Sequence, residues 1–255
     1  VKVIPVIAPG TSETVSLFFP FRDPGPVKIA AELSDDALAA DNTRRAVAVI
    51  RDRVSVLCVE GSDGDGQSAG RLIAAALRAR DNRKVQDDLA VRSVSWVDLP
   101  SQDLKQFDVV ILADVPDITV EQARSFERFV RAGNGLIWFA GDYVKADVWN
   151  QRSALEGSPL LPGTIEEPIS TIDAMGIGRS LDPSLTDHPV CRPLLSLAED
   201  LLSETRFRTM LRVKPSATST KVLSLAGSDS PLLLEHSLGR GHVFMFTTSA
   251  GSAWN

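Results

Sequence analysis

The stretch that most constrains this chain is Phe107 to Asp142, FDVVILADVPDITVEQARSFERFVRAGNGLIWFAGD. A continuous apolar run, Val109-Val110-Ile111-Leu112, is followed by a helix pattern and then by a second run, Leu136-Ile137-Trp138-Phe139. Such an arrangement is a βαβ unit of a buried parallel sheet. The helix, expected over Val120 to Ala132, is well punctuated. Thr119 and Gln122 have the spacing of a capping box, in which each side chain satisfies a backbone N–H at the helix start. Val120, Ala123, Phe126, Phe129 and Val130 form an apolar stripe. Gly133 supplies the left-handed stop.

The rest of the chain fits around this unit. Residues 1 to about 50 read as all-β, with runs at Val1 to Ile7, Thr14 to Phe19, Val27 to Leu33 and Ala46 to Ile50, broken by turns such as Asp23-Pro24-Gly25-Pro26. An α/β domain starts at Arg51. It opens with a strand over Val54 to Val59, a loop from Glu60 to Gly66 and a helix over Ser68 to Arg80. Strands are expected over Leu89 to Leu99 and Phe107 to Asp114, and a further helix over Tyr143 to Leu155. Glu156 to Leu194 is rich in Pro, Gly, Ser and Asp and reads as a long loop; Ser196 to Met210 reads as helical in part. Strands over Val222 to Leu225, Pro231 to Ser237 and His242 to Thr247 close the chain, the last two joined by the hairpin signal Leu238-Gly239-Arg240-Gly241.

Composition narrows the function classes. Of 255 residues, 44% are apolar and 24% charged, which suits a folded chain with a full core. The net charge of -6 argues against a nucleic-acid partner, because phosphate backbones select basic surfaces. The basic run Arg78 to Lys84 reads as the solvated C-terminal end of a helix. Cys58 sits in an apolar run and reads as a core residue; with Cys191 it makes no zinc spacing. No run approaches the roughly 18 apolar residues of a membrane span. Val1 opens in strand-like sequence and the chain stops at Asn255 soon after a strong strand, so it reads as a piece excised from a longer protein.

Candidate sites follow from position. Asp63-Gly64-Asp65-Gly66 resembles a calcium loop, but an EF-hand register would put Gly61 and Leu72 at ligand positions, and neither side chain has an oxygen. Glu60, Asp63 and Asp65 would repel a phosphate, so a solvated turn is the better reading. Asp114, Asp117 and Asp142 lie at or just beyond strand carboxyl ends, the edge where open α/β sheets bind ligands. Carboxylates there suit acid/base or metal chemistry, although Asp is also a common turn residue, the role favoured here. His188, His236 and His242 form no HxxxH pair, and no GxSxG elbow is present. No metal or cofactor is expected. Of the aromatic cluster after the central strand, Trp138 and Phe139 read as core, whereas Tyr143 and Trp149 are expected to line a surface groove with Gly141 and Asp142.

The stretch FDVVILADVPDITVEQARSFERFVRAGNGLIWFAGDYVKADVWN, with SPLLPG, TDHPV and PLLLEHSLGRGHVFMFTTSAGSAW, resembles the class I glutamine amidotransferase-like, flavodoxin-like domain of bacterial aerotolerance-regulator-type membrane proteins. The resemblance covers residues 51–255. It implies a mostly parallel sheet with helices on both faces. Within an all-β, immunoglobulin-like segment over residues 1–50, too short for a whole sandwich, Val27 to Ile50, with Asp41 and Asn42 in its turn, resembles the last hairpin of an immunoglobulin-like module. It also implies a membrane-anchored parent of which this part is soluble and extracytoplasmic. In that superfamily the elbow after the strand carries a cysteine, partnered by a later histidine. The matching stretch here is Phe139-Ala140-Gly141-Asp142, which has none.

The function expected is therefore a non-catalytic ligand-binding or protein-interaction domain, with a protein partner first and a small-molecule ligand second. The alternative is a hydrolase or metal-dependent enzyme using Asp114, Asp142 and His236. It requires those side chains to converge in one concave pocket.

Overall fold

The computed structural model describes residues 6–13, 15, 17, 21, 23–33, 42–51, 53–61, 68–78, 89–154, 159–182, 188–191, 204–252 and 254–255. Two compact units divide the chain, Val1–Asp52 and Arg53–Asn255. In the first, β1 (Gly25–Glu32) and β2 (Thr43–Ile50) pair antiparallel in unbroken register, from Gly25 opposite Ile50 to Glu32 opposite Thr43. The strands expected over Val1 to Ile7 and Thr14 to Phe19 fall largely outside the described residues, as does Asp41. A single antiparallel pair does not define an immunoglobulin-like sandwich.

The second unit contains β3 (Val54–Glu60), α1 (Ala69–Arg78), β4 (Leu89–Ser95), β5 (Val109–Ala113), α2 (Val120–Arg131), β6 (Gly135–Phe139), α3 (Ala146–Ser153), β7 (Gly163–Ser170), β8 (Thr209–Pro215), β9 (Thr220–Ser224), β10 (Pro231–Leu238) and β11 (Gly241–Phe246). Seven of these strands form a mixed sheet in the order β4-β3-β5-β6-β11-β10-β9. The first five run parallel. β10 then pairs antiparallel with both β11 and β9. β7 and β8 form a separate antiparallel pair.

Alternation along the strands divides the core between the two sheet faces. Val110, Leu112, Leu136 and Trp138 meet Ala123, Phe126, Phe129 and Val130 of α2 and Trp149 of α3. Val56, Cys58 and Ile111 meet Ala74 of α1 on the other face. Helices therefore cover both faces, which is why residues 56–59 of β3 and all of β5 are apolar without interruption. Burial pushes the Cys58 thiol up to about 11, with the Arg78 guanidinium pulling weakly the other way.

The capping box at α2 is formed. Thr119 Oγ1 accepts the Gln122 N–H at 3.2 Å, and Gln122 Oε1 accepts the Thr119 N–H at 2.7 Å. Gly133 ends the helix at φ +112, and Gly239 turns the β10–β11 hairpin at φ +67.

Four boundaries differ from the sequence expectation. The strand expected over Leu89 to Leu99 stops at Ser95, and Trp96–Ser101 is a 3-10 turn containing Pro100. Proline has no N–H to give a sheet ladder, and its fixed φ suits a tight turn. The helix expected from Tyr143 begins at Ala146, because Lys145 N–H is committed to Pro116 O at 2.9 Å. The expected long loop contains β7, which is held by β8 with a register shift between Ile165 and Pro168. Thr209 and Met210, expected in a helix, begin β8; residues 196–203 lie outside the described residues.

Thr119→Ala removes one half of a reciprocal cap and should cost about 1 kcal/mol in urea unfolding. Thr119→Ser should cost distinctly less. Equal losses for the two would show that the hydroxyl cap contributes nothing.

Candidate functional site

The parallel strands end level with one another, Glu60 beside Ala113, Ala113 beside Phe139 and Phe139 beside Phe246. The turns leaving this edge carry the candidate carboxylates. Asp114 follows β5 directly and has φ +54, the only positive φ outside glycine among the described residues. Aspartate tolerates this left-handed region better than most side chains. The conformation sends Asp114 N–H to Phe139 O at 3.2 Å and its carboxylate toward the turn after β6. There Oδ1 accepts the Tyr143 N–H at 2.8 Å.

Gly141 is required by space. A Cβ on it would lie 2.1 Å from Asp114 Cγ and 2.3 Å from Oδ1. The loop after β3 is as close on the other side. Gly61 N–H donates to Ala113 O at 2.9 Å, and a Cβ there would lie 1.7 Å from Asp114 O. Between β3 and β5 the crossovers leave in opposite directions, which in open α/β sheets is the usual ligand crevice. At this position Gly61 packs backbone to backbone against Asp114.

The two turns are joined further along. Lys145 Nζ lies 2.6 Å from Asp117 Oδ2. Trp149 Nε1 donates to Val115 O at 2.9 Å, and the Trp149 ring meets Trp138 edge-on at 5.7 Å. Trp149 is fully buried and is a wall of the core. Tyr143 is 54% exposed. Gly141, Asp142 and Tyr143 are thus close together at the edge, and Trp149 is not a surface group beside them.

Asp142 turns the other way. Its Oδ1 accepts Trp254 Nε1–H at 2.8 Å, and Trp254 O accepts the N–H groups of Arg208 and Thr209. His236 is 98% withdrawn from solvent at 2% exposure, and its Nε2 donates to Leu160 O at 3.0 Å. It pairs with Val243, which is level with Leu136 near the start of β6, away from the edge that holds Asp114 and Asp142. Burial holds its imidazole below the ordinary histidine range. His188 and His242 both contact Glu235. Asp114 and Asp142 therefore lie near each other, and His236 does not join them.

Burial pushes the Asp114 carboxyl up to about 6. The N–H groups of Tyr143, Asp142 and Val144 pull it down, and the Asp142 charge adds to the rise. Desolvation wins, so the site tolerates the charge rather than favouring it. Among the described residues no group of three His, Cys, Asp or Glu side chains is placed to hold a metal.

A concave feature of this unit lies elsewhere. A groove of about 620 Å³ runs between the flank of α2 and the two 3-10 turns at Trp96–Ser101 and Leu104–Gln106. Leu99, Leu104, Phe126 and Phe129 contribute apolar surface, and Lys105, Glu121 and Arg128 lie along it. That volume falls within the range of small-molecule pockets. Sequence reading missed it because a strand was expected through Leu99; Pro100 was the available signal.

No protein-family model matches the chain, and no curated protein matches it. Solved structures do. The cytoplasmic protein STM3548 of Salmonella typhimurium matches with a TM-score of 0.53 at 13% identity, over 90% of this chain and 87% of that one. The cytoplasmic protein STM1381 of Salmonella typhimurium LT2 matches with a TM-score of 0.51 at 12% identity, over the same shares, 90% and 87%. At such identities the likeness is one of fold. These findings correct the resemblance to amidotransferase-like domains of aerotolerance-regulator-type proteins. Apolar strands that end in Gly-Asp turns are what a buried parallel sheet demands of many unrelated sequences.

Gly141→Ala should destabilise the unit by roughly 1–3 kcal/mol through overpacking against Asp114. Asp114 also has a signed pH effect. Its folded value of about 6 exceeds the ordinary 3.8, so its contribution to stability is full below about 4 and lost as pH rises through about 6. Between pH 7.5 and pH 4 the wild type should gain on Asp114→Asn by roughly 1–2 kcal/mol in urea unfolding, the full shift being reduced because solvent screens part of the carboxyl. A difference that moves the other way would show that the N–H groups outweigh burial.

Proposed function

We propose that the Arg53–Asn255 unit is a non-catalytic binding domain, taking a protein segment or a small molecule along the groove beside α2. The observation that carries this is the engagement of the edge carboxylates. Asp114 is taken up by a backbone N–H of the facing turn and Asp142 by the Trp254 indole. Neither faces a histidine, and Ala140-Gly141 supplies no nucleophile. The alternative, a hydrolase or metal-dependent enzyme, needs Asp114, Asp142 and His236 in one pocket. The register of β10 works against that.

In its first four strands we read the unit as flavodoxin-like. The order β4-β3-β5-β6 follows the 2-1-3-4 start of that arrangement, and the antiparallel β10 and β9 depart from it. The pair β1–β2 suits the closing hairpin of an immunoglobulin-like segment, with Asn42 N-terminal to β2. Among the described residues no helix is long and apolar enough to cross a membrane. The membrane-anchored parent came with the corrected resemblance, and no residue of this chain carries it.

The groove can be tested with 8-anilinonaphthalene-1-sulfonate, whose rings suit the apolar floor and whose sulfonate suits Lys105 and Arg128. Amide shifts in 15N-labelled protein should saturate at one site that includes Leu104, Gln122, Ser125 and Arg128. Ser125→Trp, which fills the groove, should weaken binding at least about tenfold with little change in thermal midpoint. Shifts confined to Gly141–Tyr143 would move the site back to the sheet edge. Ester or phosphate hydrolysis that is abolished by Asp142→Asn would establish the enzyme alternative.

A further inference from the structure

At the other end of the sheet one carboxylate takes two imidazoles. Glu235 on β10 has its Oε2 at 2.6 Å from His188 Nε2 and its Oε1 at 2.6 Å from His242 Nδ1. The carboxylate is 12% exposed, His188 19% and His242 54%. Phe244 lies beside both rings, edge-on to His188 at 6.3 Å and stacked with His242 at 6.5 Å.

The hydrogen bonds fix the proton positions. His188 Nδ1 accepts the Val190 N–H at 3.3 Å, so Nε2 carries the proton and donates to Glu235. An ionised carboxylate is acceptor-only, so it can take His242 Nδ1–H as well. Charge-assisted bonds of this kind are short and stronger than neutral ones. The two imidazoles come from different places. His242 is on β11, the hairpin partner of β10. His188 opens the 3-10 turn Pro189–Cys191.

That turn is held at both ends. At one end is His188 on Glu235. At the other is Cys191, fully buried among Met210, Val222, Leu223, Leu225, Leu232 and Leu233, with Sγ 3.7 Å from Val222 O. Cys191 N–H also donates to His188 O at 2.9 Å, so a displacement of His188 pulls directly on Cys191.

We propose that the Glu235–His188 contact is the fastening of a strap formed by residues 188–191, oriented by His242, and that undoing it uncovers the Cys191 thiol and the apolar cluster beneath it. Glu235→Leu is the sharpest lesion. It keeps most of the side-chain length and leaves both imidazoles without the carboxylate acceptor. His188 cannot change tautomer without giving up the Val190 N–H.

The chain has two cysteines, so each can serve as a reporter alone. In a Cys58→Ser background, Cys191 is titrated with 5,5′-dithiobis(2-nitrobenzoate) under native conditions. In a Cys191→Ser background, Cys58, buried in β3, reports global opening. Glu235→Leu and His188→Ala should speed Cys191 labelling at least about tenfold while Cys58 labelling stays unchanged; a factor of ten in an opening constant corresponds to about 1.4 kcal/mol. His188→Gln, which retains a side-chain donor, should fall between His188→Ala and the wild type. Should Glu235→Leu fail to fold, His242→Ala removes only the exposed arm and should still accelerate Cys191 by a few-fold. Unchanged Cys191 labelling in the folded variants, or equal acceleration of both thiols, would overturn the proposal.

Discussion

The contact between Asp114 and the turn at Gly141 sets the geometry of the whole carboxyl edge. Asp114 must adopt φ +54 to send its carboxylate across to Tyr143 N–H. Gly141 must lack a Cβ to admit it. Once these two turns lock, Lys145 is placed on Pro116 and Asp117, and α3 starts at Ala146. Trp149 then reaches Val115 O and closes the core over Trp138. Removing a carboxylate from water costs several kcal/mol unless donors replace the lost hydration. The N–H groups here offset much of that, and the rise to about 6 is the remainder.

The βαβ unit was legible because each level of the sequence points the same way. Its strands are apolar, its helix has a stripe, a box and a stop, and Gly141 stands where a Cβ could not. What lay beyond it depended on contacts that no local pattern records. Trp149 reads as a surface aromatic because α3 has little amphipathicity. Its burial follows from a carbonyl 34 residues earlier that can satisfy its indole. The pair β7–β8 joins distant residues, from Ser170 opposite Thr209 to Gly163 opposite Pro215, with a proline and a register shift inside it, so alternation is lost where it would be sought. Glu235 and His242, in contrast, could have been placed together. The Leu238–Gly241 hairpin signal fixes the register, and Glu235 and His242 are then diagonal neighbours on one face. His188 had no such signal.

Likeness of fold at 12–13% identity means that the same layers are reached by largely different side chains. Chemistry has to be read from the turns. At the edge where this architecture usually holds a ligand, the carboxylates of Asp114 and Asp142 are bonded to the protein itself. Gly61 against Asp114 O and Trp254 on Asp142 occupy positions where a ligand would need donors and acceptors to spare. The groove beside α2 differs in kind. Phe126 and Phe129 line it together with Leu99 and Leu104, and Lys105, Glu121 and Arg128 supply its charged groups.

The unit thus satisfies two withdrawn carboxylates in two ways, and the difference has consequences. Asp114 is met by backbone N–H groups, which cannot titrate, move little and belong to turns fixed by neighbouring strands. That arrangement suits a permanent joint. Glu235 is met by side chains, one arriving from a short turn and one from the hairpin partner. Side-chain donors can rotate away, change charge or be competed for, and each imidazole can be withdrawn without breaking the sheet beneath it. A carboxylate held this way makes a joint that can open. The same turn ends in Cys191, which lies buried in an apolar cluster.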